Sequence, residues 1–253
     1  MNFPKGTTLV ARRKRPNSPK ARRQPEKLTA MSQSATLAPA PTPILQTLRS
    51  RMCAQEMRRR LWHFFPGVLA FTLPVIPHME TVRLWVMLVI VAFGIILPAL
   101  AAIRYQRAYC RSLDEDIAPS IFGYVIPLTL LCLMCRSNLE IPLAVAAIIS
   151  FGDGCATLVG ILTRGPRVPW NARKSWAGLV SFMVMGSLMA TAIYWAEANP
   201  HVPLTTALLV VAPVVMICGL VETLPLKLND NLTVGFTAAA LLLVQQTLIV
   251  GWN

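Results

Sequence analysis

The chain has 253 residues, 55% of them hydrophobic and 14% charged, with a formal charge of +13. Soluble domains carry about a quarter charged residues, so the composition excludes an ordinary water-soluble domain and points to an integral membrane protein. The basicity is local: residues 1–60 hold 14 Lys and Arg against Glu26 and Glu56, and the remainder is close to neutral.

Residues 1–55 read as a disordered basic cytoplasmic tail. Pro, Ser, Ala and basic residues dominate, and APAPTP at 38–43 suits an extended linker. Such an arm fits anionic lipid head groups at a membrane surface, and no nucleic acid partner is expected. The basic start lacks the apolar core of a secretory signal. Its Arg-rich, acid-poor composition also fits a transit peptide, or a start at Met31, Met52 or Met57.

Residues 56–253 read as an all-α, polytopic transmembrane domain. Apolar runs at 61–77, 82–103, 117–135, 141–162, 176–196, 204–224 and 232–250 approach or reach the length a helix needs to cross a bilayer. Seven spans are expected. With the N-terminus inside, the inner loops hold Arg104, Arg107, Arg111, Arg164, Arg167, Arg173, Lys174 and Lys227. The outer loops hold Arg83 and Arg136. That asymmetry follows the positive-inside tendency and puts the N-terminus and every unusual polar stretch on the cytoplasmic side, with the plasma membrane as the expected location. Cys132 and Cys135 have C-x-x-C spacing inside an apolar run without further ligands, and read as packing residues.

Four stretches carry chemistry. Asp153 lies deep in an apolar run between Gly152 and Gly154. A carboxylate there is costly and needs a compensating partner. A divalent cation bridging nucleotide phosphates is the expected one, and the glycines would allow close approach of a phosphate or a neighbouring helix. Next, NARKSW at 171–176 sets Arg173, Lys174 and Ser175 just before a helix, which suits phosphate binding. Ser175 also suits a helix N-cap. Then Glu222, Asp230 and Asn231, in ETLPLKLNDNLT at 222–233, add oxygen donors on the same side. Finally, Arg60 and His63 share a helical face in RRRLWH at 58–63.

Together these stretches resemble the polyprenol kinase family, which includes dolichol, phytol and CTP-dependent diacylglycerol kinases. RRRLWHFFPG at 58–67 is similar to its Arg-Lys-x-x-His opening, and GDGCATLVG at 152–160 to its Gly-Asp-Gly-x-Ala-x-x-x-Gly motif. NARKSWAG at 171–178 is similar to its Lys-Ser-x-x-Gly motif, and ETLPLKLNDNLTV at 222–234 to its closing Glu and Asp-Asp-Asn-Leu-Thr. The chain departs from that pattern at Arg60, where Lys is usual, and at Asn229, where Asp is common. It also departs at ILTRGP, 161–166, which lacks a Gly-Arg-Arg-x-Gly form.

The resemblance implies phosphoryl transfer from CTP to a lipid hydroxyl or isoprenoid monophosphate, assisted by Mg2+ or another divalent cation. Asp153, Lys174 and Asp230 would then be catalytic. Gly152, Gly154, Arg173, Lys174, Ser175, Arg60 and His63 would bind nucleotide phosphates, and Asp153, Glu222, Asp230 and Asn231 would hold the metal. The same layout is similar to that of phosphatidate cytidylyltransferases, which transfer CMP. The chain lacks their closing His-Gly-Gly and Asp-Arg motif. A non-enzymatic transporter is the third reading, but no internal repeat supports it.

Overall fold

The computed structural model describes residues 46–48, 50, 52, 54–75, 96, 100, 103–104, 118–135 and 137–252. All of the longer segments belong to the unit Pro41–Asn253. The expected tail falls almost entirely outside the described residues, as do the expected span at 82–103 and the loop after it, apart from a few isolated positions.

Six helices follow in order among the described residues: α1 Ala54–Ala70, α2 Ala118–Met134, α3 Glu140–Thr163, α4 Trp176–Glu197, α5 Leu204–Thr223 and α6 Asp230–Val250. Helices α3 to α6 are long and apolar enough to cross a membrane. Helix α2 is apolar too, but has only 17 residues. The expectation of an all-α membrane protein therefore holds for the bundle, with four spans of full length among the described residues; the count of seven is not confirmed.

Helix α1 covers the first part of the expected apolar run at 61–77. It starts at Ala54, ahead of Arg58, Arg59 and Arg60, and ends at Ala70, before a short 3-10 turn at Leu73–Val75. Leu61, Trp62, Phe65 and Val68 are exposed on one side, whereas Gly67 and Ala70 are buried. Beyond Arg60 both faces are apolar apart from His63, and the exposed side suits lipid.

Helix α4 lies between α3 and α5, and α6 packs on α5 and α2. The α4 sequence separates into two faces. Val180, Val184 and Leu188 recur every four residues and are exposed, while Phe182, Ala190 and Ile193 are buried. An apolar stripe open to the surroundings is a liability in water and ordinary in lipid. On the buried side, Gly186 lets α4 approach α5, since a Cβ there would lie 2.9 Å from a Val215 methyl. The core is completed by Ile141, Ile148, Ile149, Val210, Val214 and Leu242.

Two local features position the site. The middle of α3, Ile148–Asp153, is π-helical and ends on Asp153; such insertions re-aim side chains and are frequent at functional sites. Between α3 and α4 the chain forms a small antiparallel hairpin, β1 Arg167–Val168 and β2 Asn171–Ser175, paired through Arg167 and Ser175. The hairpin is an addition to the all-α expectation. It is tied to the end of α5, because Asn171 Nδ2 donates to the Thr223 carbonyl and Trp170 Nε1 to Thr223 Oγ1, both at 3.1 Å.

Candidate functional site

The hairpin delivers Lys174 into a group of acids. Lys174 Nζ donates to Glu222 Oε1 from the end of α5, and to Asp230 Oδ2 at 2.9 Å from the start of α6. Glu222 is only 4% exposed. Its side chain therefore needs this partner, because a buried carboxylate without one is strongly unfavourable. Burial alone would lower the Lys174 pKa, but the Glu222 carboxylate, with Asp153 and Asp230, outweighs it and holds the ammonium above the ordinary lysine range. A raised lysine pKa contributes stability that is complete below the unfolded-state value and is lost as pH rises through the folded one.

Asp153 lies on the other side of this group. Its Oδ2 is 3.1 Å from His63 Nε2, and that nitrogen is also 3.2 Å from the Ile149 carbonyl. Both neighbours accept, so Nε2 carries the proton and donates to them. The Ile149 carbonyl belongs to the π-helical turn, so the irregularity that positions Asp153 also seats His63. Tyr124 from α2 closes over the pair, its ring edge-on to His63 at 5.7 Å, and its hydroxyl bonds to Ser150 and to the Ala146 carbonyl. Arg60, one turn before His63, adds positive charge near Asp153.

Beside the acids opens a cavity of about 390 Å³. Arg60, Arg164, Arg167, Arg173 and Lys174 line it, with Glu222 as the acid and Ala156, Gly160 and Gly178 as small wall residues. Five cations around one acid suit a polyanion such as a chain of phosphates. The small residues matter sterically: a Cβ at Gly178 would lie 2.9 Å from the Ala156 carbonyl oxygen, and one at Gly160 would lie 3.1 Å from Ser175 Oγ.

The structure brings most of the expected residues together: Asp153 with His63, Lys174 with Glu222 and Asp230, and Arg60, Arg173, Lys174 and Ser175 along one cavity. It places two others, Gly152 and Gly154, differently. A Cβ on Gly152 would meet the Phe182 ring, and one on Gly154 the Phe64 ring. These glycines make room for helix packing, and neither lines the cavity. Ser175 lines the cavity and also caps α4, as its sequence suggested: its Oγ accepts from the Gly178 N–H at 3.1 Å.

Asn229, the departure from the family pattern, has a structural duty. Its Oδ1 accepts from the N–H groups of Asn231 and Leu232 and caps α6. An aspartate would cap equally well, so Asn229→Asp should leave thermal stability unchanged. Asn229→Ala should cost about 1 kcal/mol, read from denaturation in detergent.

Sequence reasoning missed Arg164, Arg167 and Thr157. The arginines were counted only as loop charge. Arg164 ends α3 in the left-handed conformation, φ 48°, its N–H bonded to the Gly160 carbonyl at 3.3 Å. A non-glycine residue there is uncommon and sends the guanidinium along the cavity wall. Thr157 reaches Asp153 Oδ1 at 3.5 Å, a long contact one turn along α3.

Comparison with known proteins decides the kinship. The chain is 30% identical over 125 residues to phytol kinase 1, chloroplastic, of Arabidopsis thaliana, covering 47% of this chain and 41% of that protein. It is 30% identical over 120 residues to farnesol kinase, chloroplastic, of the same plant, covering 46% and 39%. The chain is related to the phytol and farnesol kinases. The resemblance to the polyprenol kinase family read from the motifs is borne out. A longer match, 26% identical over 204 residues, joins 73% of the chain to 62% of the probable phytol kinase 1, chloroplastic, of Oryza sativa subsp. japonica. The match thus spans about two fifths of the first two kinases and less than two thirds of the third. No protein-family model matches the chain, and no solved structure matches it.

Beside Lys174, Glu222 and Asp230 offer hard oxygen ligands of the kind Mg2+ shares with phosphates, and the Lys174 ammonium already stands between them as a cation. Among the described residues no group of three His, Cys, Asp or Glu side chains forms a ready metal site.

Proposed function

We propose that this protein transfers the terminal phosphoryl group of CTP to the hydroxyl of a membrane lipid alcohol of the isoprenoid type, or to an isoprenoid monophosphate. The observation that carries the reading is the junction of a five-cation cavity with a cluster of acids at one end of an apolar helix bundle. Kinship to kinases named for phytol and farnesol supports the acceptor class.

In phosphoryl transfer most catalysis is positioning and charge neutralisation. Arg60, Arg164, Arg167 and Arg173 hold the nucleotide phosphates in the cavity. Lys174 spans the cavity and the acids, and so places charge where the transferred group sits. Asp153 fixes His63 and offsets the Arg60 and Lys174 charges. A bound divalent cation, held by Glu222 and Asp230 with Asp153 and Asn231 close by, would supply charge neutralisation of the phosphates. The lipid enters sideways between apolar helix faces, its hydroxyl at the level of the acids.

The loop charges favour a cytoplasmic site and N-terminus. The word chloroplastic in the relatives' names describes those proteins, and it lends no support to a plasma membrane for this one. The basic tail is proposed to meet anionic lipid head groups.

Two rival chemistries make different predictions. A CMP-transferring enzyme would need acceptor phosphates rather than alcohols. A transporter would show no nucleotide-dependent product at all. The test is a screen of purified full-length protein against CTP, ATP, GTP and UTP, crossed with phytol, farnesol, a long polyprenol, diacylglycerol and phosphatidate. The reading predicts a phosphorylated isoprenoid that appears with CTP. A cytidylated phosphatidate, or no product with any pair, contradicts it.

A further inference from the structure

We propose that Lys174 is a built-in counter-cation that keeps the Glu222–Asp230 seat closed to divalent cations until a polyphosphate draws its ammonium away. The inference rests on the reading of the cavity as a phosphate site and adds an order of events to it.

Four observations carry it. Lys174 Nζ bonds to both acids at once, so the space between them already holds a positive charge. The same side chain lines the cavity beside Arg60, Arg164, Arg167 and Arg173, so phosphates held there lie within its reach. The hairpin backbone is fastened to Thr223 through Trp170 and Asn171, so the flexible four-carbon stem of Lys174 can turn without moving its strand. Finally, the two acids differ in exposure: Glu222 is sealed, whereas the Asp230 side chain is 46% exposed and opens the seat to solvent.

Charge then sets the sequence. When Lys174 turns to the phosphates, Glu222 and Asp230 are left facing each other, and a buried carboxylate does not remain uncompensated. A cation of higher charge is the natural replacement. Without polyphosphate the ammonium has no better partner and stays. Ion binding is therefore coupled to nucleotide binding, and a free divalent ion meets a seat already filled.

The test is Mn2+ binding to the full chain in detergent, followed by electron paramagnetic resonance without nucleotide or lipid. Lys174→Met should bind Mn2+ roughly tenfold more tightly than wild type, or better, because two carboxylates lose their internal cation. Lys174→Arg, which keeps the charge, should bind as weakly as wild type. A second measurement needs no variant: acetic anhydride labelling of Lys174 in the wild type, mapped by mass spectrometry, should stay unchanged when Mn2+ alone is added at a concentration that saturates Lys174→Met. Labelling that rises with Mn2+ alone, or a folded Lys174→Met protein with wild-type Mn2+ affinity, overturns the proposal. The kinase reading is judged apart from this, by phosphate transfer in the wild type. Transfer without the tightening keeps the kinase and discards the Lys174 device. Tightening without transfer discards the kinase and, with it, the nucleotide-coupled order.

Discussion

Asp153→Asn should reduce phosphate transfer from CTP by on the order of a thousandfold while leaving the protein folded. The substitution keeps the shape of the side chain and an acceptor oxygen for His63. What it removes is the charge that faces His63 at 3.1 Å and that also acts on Arg60 and Lys174. With that charge gone, three cationic or proton-bearing groups converge with less to hold them in place, and small displacements at a reacting centre cost rate steeply. The measurement is initial rate in detergent beside a thermal melt. A folded Asp153→Asn protein with near-wild-type turnover would remove Asp153 from the site.

Gly178→Val should be strongly damaging. A single Cβ at this position already stands 2.9 Å from the Ala156 carbonyl oxygen, and backbone cannot step aside as a side chain can. Valine adds two methyls to that contact. Overpacking of this kind costs about 1–3 kcal/mol, and here it also separates α3 from α4 at the wall of the cavity. The protein should melt well below wild type and lose nucleotide affinity. Gly165→Ala is the control: its nearest neighbours to a new Cβ are 3.8 Å away, and it should behave as wild type.

Legibility differed with the physical origin of each feature. Helices α3 to α6 were readable because length and uniform apolarity are the signals a bilayer imposes. For helix α1 the apolar run from Leu61 was legible, but only packing showed that Leu61, Trp62, Phe65 and Val68 form its exposed face. Asp153, Glu222 and Lys174 were found because charges inside or beside apolar runs need partners. Which partner each takes was beyond the sequence. The pairing of Lys174 with two acids depends on a hairpin of seven strand residues, too short and too polar to show a strand pattern. Gly152 and Gly154 looked like phosphate-binding glycines beside an acid, yet their neighbours are the rings of Phe182 and Phe64, which arrive from distant helices. Arg164 and Arg167 were hidden among the charges that topology alone requires. Arg164 could have been suspected from its place just before Gly165, where helix α3 had to stop.

The central claim is that the cation-lined cavity and the acids beside it move a single phosphoryl group onto a lipid alcohol. The most direct measurement incubates the purified protein and phytol or farnesol with CTP labelled at either the γ or the α phosphorus, and then extracts the lipid. The account predicts that the γ label alone enters the lipid fraction, and that Glu222→Gln abolishes its entry. Entry of the α label, or no label in lipid from either nucleotide, would contradict it.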